Sequence, residues 1–192
     1  MARRSNQDQV FSLKTNGTAF RNLHDFLYHP DDGGFPRTTL FLDGSTLYGT
    51  TAAGGVSNRG TIFMLLTNGE NFTTLKNFDD TVGFQCDSRF VLTSNVLYGT
   101  AASGGTNGGG VVFGLTVLPQ IMNNGNFGIH SNAFDFNFTG ISNQTAIIEF
   151  STNLAQPVWS RLQPNLLNGA PQFYSDPQIG QNPNGFYRIS SP

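Results

Sequence analysis

An all-β fold is predicted for this chain of 192 residues, and three observations carry the prediction. Strong helix formers are scarce, while 23 Gly and many Asn punctuate the chain every few residues. The stretches between them are short and rich in Phe (18 in all), Thr, Ile, Val, Leu and Tyr, which suit a half-buried pleated surface. The chain also repeats itself. Leu47-Tyr48-Gly49-Thr50-Thr51-Ala52-Ala53-Gly54-Gly55 returns 50 positions later as Leu97-Tyr98-Gly99-Thr100-Ala101-Ala102-Ser103-Gly104-Gly105. Gly60-Thr61-Ile62-Phe63 returns as Gly110-Val111-Val112-Phe113 at the same offset of 50.

Composition narrows the function classes. Ten Lys+Arg against twelve Asp+Glu give a net charge of −2, and only 11% of residues are charged. Two Lys and eight Arg, scattered along the chain, do not make the basic patch that nucleic acid requires. A hydrophobic content of 38% supplies a core and excludes disorder of the highly charged, aromatic-poor kind. The single cysteine, Cys86, excludes an internal disulfide framework and a multi-cysteine zinc site. No run of ~18 apolar residues is present, so no membrane-spanning helix is expected.

Residues 1–9 are polar after a basic Met1-Ala2-Arg3-Arg4 start and are expected to be disordered; no apolar signal-peptide core follows. Tandem repeats are expected over 10–116, in units of about 10–60 and 61–112. In the first unit, strands are expected at Val10 to Thr15, Ala19 to Phe26, Thr38 to Leu42 and Thr46 to Thr51, and the next unit opens at Thr61 to Leu66. Asn16-Gly17, Asn68-Gly69 and Asp43-Gly44 are hairpin signals, because both central residues of a type I′ turn need positive φ. Phe11-Ser12-Leu13 through Phe26 also matches Phe63-Met64-Leu65 through Phe78 at an offset of 52, so Val10-Phe11 reads as the closing strand of an earlier unit. Four strands in about 50 residues fit a propeller blade. Two units would leave blade edges exposed, so either a longer array or self-association through those edges is expected.

Residues 117–130 read as a linker, and 131–192 as a small β-sandwich. Phe134, Phe136 and Phe138 alternate with Asp135 and Asn137, and Ala146, Ile148 and Phe150 alternate with Ile147 and Glu149. Later strands are expected at Val158 to Leu162, Gln172 to Ser175 and Phe186 to Ile189. The sandwich core is expected to include Trp159.

The order Leu-Tyr-Gly-Thr, Gly-Gly, Gly-Thr-Ile-Phe resembles the GloVer tandem repeat of bacterial surface and exported proteins, over roughly residues 10–116. That resemblance implies a propeller-like array without established catalytic activity, at the cell surface or outside the cell. Ile148-Glu149-Phe150-Ser151-Thr152-Asn153-Leu154, Trp159, Ser175-Asp176-Pro177 and Phe186-Tyr187-Arg188 resemble the C-terminal β-sandwich module of secreted verrucomicrobial proteins. This second resemblance implies an immunoglobulin- or fibronectin-like accessory module over roughly residues 131–192.

The chemistry-bearing candidates are few. Tyr48 and Tyr98 occupy equivalent repeat positions, where aligned rings could stack on sugars; the plainer reading is that each fills space between blades. Asp31 and Asp79 accompany them as ligand-binding candidates. Asp31-Asp32 and Asp79-Asp80 are also weak Ca²⁺ candidates, oxygen donors in flexible loops, although they lack the spacing of an EF-hand and Asp-Gly runs form ordinary turns. No other cofactor or metal is expected. His24, His29 and His130 have no metal-ligand spacing, no Gly-x-Ser-x-Gly elbow exists, and the loop from Gly104 to Gly110 lacks the Lys-Ser/Thr of a phosphate loop. A non-enzymatic binding, adhesion or display module is therefore expected, with a glycan or protein as its surface ligand. A carbohydrate-binding or carbohydrate-processing accessory protein and a passive structural spacer are the alternatives.

Overall fold

The computed structural model describes residues 8–179 and 184–192. Over those residues the protein is all-β, built from small antiparallel sheets. It divides into two compact units, Met1–Leu42 with Thr46–Leu115, and Asp43–Ser45 with Thr116–Pro192. Of the segment expected to be disordered, residues 1–7 lie outside the described residues, and Gln9 already begins a strand.

In the first unit, β1 (Gln9–Ser12) pairs with β2 (Arg21–Asp25). A five-stranded sheet follows, of β3 (Gly33–Pro36), β4 (Phe41–Asp43), β5 (Thr46–Gly54), β6 (Thr61–Leu66) and β7 (Thr73–Asn77). Its order is β3-β5-β6-β7, with β4 also on β5. The third sheet is β8 (Val91–Thr93), β9 (Val96–Ala101) and β10 (Val111–Thr116), in the order β10-β9-β8.

Sheets and sequence units are out of step by half a repeat. Each unit gives its first two strands to one sheet and its last strands to the next. Thus β1 and β2 pair with each other, whereas β4 and β5 join β6 and β7 of the following unit. β6 therefore lies inside a sheet with a neighbouring sheet on each face, and all six of its residues are buried. That is why Thr-Ile-Phe-Met-Leu-Leu is a continuous apolar run rather than an alternating one.

The repetition extends to individual bonds. Phe26 N donates to the Asp8 carbonyl and Phe78 N to the Gly60 carbonyl, both at 2.9 Å and 52 residues apart. A β-bulge lies between Val10 and Phe11 in β1 and again between Ile62 and Phe63 in β6. The Phe26 ring meets Phe63 edge-on at 5.2 Å, and Phe78 meets Phe113 edge-on at 5.5 Å. Gly60 and Gly110 share a φ of +91°, and at each a Cβ would fall against the carbonyl of residue 51 or 101, so only glycine fits there.

The turn chemistry differs from expectation. At Asn16-Gly17 only Gly17 has positive φ; Gly17 N donates to Lys14 O and Lys14 N to Thr18 O, both at 2.8 Å. This is a three-residue hairpin loop closed by a left-handed glycine, not a two-residue type I′ turn, and Leu66–Glu70 repeats it. The Asn16 side chain is free to accept from Thr18 N at 3.1 Å, a bond that favours the open loop.

In the second unit, β11 (Gln120–Met122) and β12 (Gly128–His130) pair along one edge of β13 (Ala133–Thr139), and β16 (Gln172–Asp176) pairs along the other. β14 (Thr145–Ser151) lies between β15 (Ser160–Leu166) and β17 (Phe186–Ser190). The stretch 117–130 is thus not a bare linker. Its two strands, three residues each, are too short for a periodicity reading, but they complete the β13 sheet. Phe136, Phe138, Ala146, Ile148 and Leu167 form one buried cluster drawn from both sheets. Trp159 is not in that cluster; it is half-buried beneath the Arg188 guanidinium, 4.3 Å from the ring centre.

Candidate functional site

Tyr48 lies on β5 opposite Met64, and Tyr98 lies at the equivalent place on β9 opposite Val91. Their backbones match, but their surroundings do not: Tyr48 is 0% exposed and Tyr98 is 44% exposed. Tyr48 shares its face of β5 with Thr50, which donates through Oγ1 to the Cys86 carbonyl at 3.0 Å, and its ring lies 6.3 Å from Phe41. A pair of aligned, solvent-facing rings therefore does not form. Of the two tyrosines, only Tyr98 presents its ring to solvent.

The carboxylate candidates separate by role. Asp31 is exposed and lies 3.6 Å from His29. Asp32 is buried, and its two oxygens accept from Leu27 N at 2.8 Å and Gly33 N at 2.7 Å and lie 3.1 Å from His24 Nε2. It ties the end of β2 to the start of β3. In the next unit Asp79 does this ordering: its Oδ1 accepts from Thr81 N, Thr81 Oγ1 and Val82 N at 2.8, 2.6 and 2.9 Å. The Thr81 hydroxyl, followed by the two backbone donors, holds the Asp79 carboxyl below the usual carboxylate range. Asp80 instead reaches Arg59 at 2.9 Å. The two Asp pairs thus order separate loops. Among the described residues, no group of three His, Cys, Asp or Glu converges as a metal ion would need.

Two features lay outside the reach of sequence reasoning. His24 stacks on Phe72 with centroids 3.6 Å apart and planes 2° apart, and Phe72 also meets Phe26 and Phe63 at 5.8 and 5.6 Å. Phe72 thereby fills the gap between the first and second sheets. Between the second and third sheets the corresponding space is a cavity of about 250 Å³, lined by Ile62, Lys76, Phe78, Val82, Phe113 and Leu115 among others. Lys76, Phe78, Phe113 and Leu115 are the repeat counterparts of His24, Phe26, Phe63 and Leu65. No counterpart of Phe72 stands among the cavity's lining residues. What is left is an apolar slot of aromatic size with a single lysine in its wall.

In the second unit, Glu149 receives a hydrogen bond from Arg188 Nε at 2.7 Å, which holds its carboxyl below the ordinary range. Tyr187 donates through its hydroxyl to Asp176 Oδ2 at 2.5 Å, and burial and that carboxylate raise its pKa. The first pair joins residues 39 positions apart and the second residues 11 apart, and in each the partners lie on different strands.

No curated protein and no solved structure gives a significant match to this chain. A family model described as the Gloeobacter/Verrucomicrobia repeat matches residues 3–155, past the end of the expected array and through β14. With most of its length matched, and with the same bonds recurring at fixed intervals in its first unit, the chain belongs to the Gloeobacter/Verrucomicrobia repeat family.

Proposed function

We propose that the chain is a non-enzymatic repeat module of an exported or cell-surface protein, one that binds or displays rather than converts. The observation that carries this reading is how its polar groups are used. Asp32, Asp79, Thr50 and His24 are engaged in bonds that order loops or seat one sheet on the next. The repeat thus spends its polar side chains on presenting a surface.

The cavity between the second and third sheets supports binding of an aromatic side chain from a peptide ligand. Its walls repeat the walls that enclose Phe72, and an apolar slot with one polar group is the usual form of a ligand site. An NMR titration with N-acetyl-phenylalaninamide tests this. Saturable shifts confined to residues 76–82 and 113–115 are expected, and their absence refutes the site. The carbohydrate reading draws on the exposed ring of Tyr98, without help from the buried Tyr48. A glycan array with the wild-type chain and Tyr98→Ala decides it: binding lost in the variant favours that reading, and no binding by either disposes of it. Fractionation of cells expressing the native gene tests export, with the chain expected outside the cytoplasm.

A further inference from the structure

We infer that the first unit associates head to tail with a second copy of this chain, through two apolar sheet faces that the repeat marks as interfaces. Inside the chain, each sheet has a leading face and a trailing face. The trailing face of the second sheet carries Ile62, which faces Phe113 of the third sheet across the cavity, and Thr50, which bonds to Cys86 in the connecting loop; Tyr48 lies on this same face of β5, its ring 6.3 Å from Phe41. The leading face of the second sheet carries Phe63, Leu65 and Phe72, set against the first sheet through Val10, Leu23 and Phe26.

The same positions recur uncovered at the two ends of the unit. Val91, Tyr98 and Val112 of the third sheet are the counterparts of Phe41, Tyr48 and Ile62. Ile62 is 1% exposed and Val112 is 78% exposed. Phe11, Leu13 and Phe20 of the first sheet are the counterparts of Phe63, Leu65 and Phe72. Phe63 is 0% exposed and Phe11 is 50% exposed. Phe11 and Phe20 sit together, 5.4 Å apart, as a single aromatic knob.

The occupant of each face is therefore written in the chain itself. A trailing face of this repeat packs on a leading face, and the molecule exposes one of each at opposite ends of the series of sheets. Docking the Tyr98 and Val112 face of one copy on the Phe11 and Phe20 face of another reproduces the contact made internally between the second and third sheets. The contact is heterologous, so it builds open chains or closed rings rather than symmetric pairs. This inference is independent of the binding reading above.

Sedimentation velocity tests it on the full chain with two variants, Val112→Asp on the trailing face and Phe11→Asp/Phe20→Asp on the leading face. The altered side chains are at least half exposed, so near-UV circular dichroism is expected to show both variants folded. Wild type is expected to sediment faster as concentration rises to about 100 μM, a range that reads weak interfaces. Each variant alone is expected to stay monomeric. Mixed in equal amounts, the two are expected to form a one-to-one dimer that grows no further, since one intact leading face meets one intact trailing face. Wild type that stays monomeric throughout overturns the inference. So does a variant that still dimerises alone, because that would mean like faces meet.

Discussion

Gly49 and Phe63 provide the sharpest test of how the sheets of the first unit are packed. Gly49 is paired with Phe63 across β5 and β6, and a Cβ at Gly49 would lie 2.5 Å from Phe63 Cζ and 2.8 Å from Leu40 Cδ2. The ring has no room to yield, because Phe26 and Phe72 hold it at 5.2 and 5.6 Å and it is fully buried. Gly49→Ala should therefore cost about 1–3 kcal/mol, the usual range for forcing a methyl into a filled core. Phe63→Leu removes the atoms that clash and has its own cost of about 1–2 kcal/mol. In that background Gly49→Ala should cost about 1–2 kcal/mol less than in the wild type, a coupling typical of residues in contact. Urea denaturation followed by circular dichroism measures all four proteins of the cycle. The twin position adds a control. At Gly99 a Cβ would lie 2.6 Å from Phe113 Cζ, but its next contacts are 3.1 and 3.2 Å, and no Leu40-like side chain closes in. Gly99→Ala should therefore be the milder change, at about 1 kcal/mol. Additive free energies at Gly49 and Phe63, or a larger loss at Gly99 than at Gly49, would refute the packing account.

Two further outcomes follow from the repeat. Ser94 opens the β8–β9 turn at φ +54°, where its counterpart Gly44 has φ +57°; Ser94→Gly should raise the urea midpoint by relieving about 1 kcal/mol of left-handed strain. Asp79 is held below its unfolded value by Thr81 and Val82, so its contribution is complete above the unfolded carboxylate pKa of about 3.9 and fades as pH falls through the lower folded value. The stability gap between wild type and Asp79→Ala should then be widest near neutral pH and should narrow below about pH 4; a gap that widens on acidification would contradict it.

The strands were readable because they are bounded by the chain's own punctuation. Thr61–Leu66 appears as expected, and Thr46 opens β5 as the sequence indicates. β3 was missed because Gly33-Gly34-Phe35-Pro36 carries no strand signal; it exists only because the second half of β5 offers Thr51, Ala53 and Gly54 as partners. The hairpin type at Asn16-Gly17 was missed because the loop length depends on which strand residues pair, a tertiary matter. The site fared similarly. The Asp pairs could be seen, but not that the second member, Asp32, orders one loop while the first member, Asp79, orders the other.

Local sequence by itself determined what each residue does along its own strand. The fifty-residue period, the all-β class and the glycines that close the turns all follow from residue patterns and backbone sterics that act locally. The tertiary structure decided which strands share a sheet and what lies on the far side of each face. Tyr48 and Tyr98 are the same residue in the same local setting, yet one is sealed and one is open, because burial depends on whether another sheet arrives to cover the ring. That arrival is set by packing between distant segments, and no local pattern encodes it.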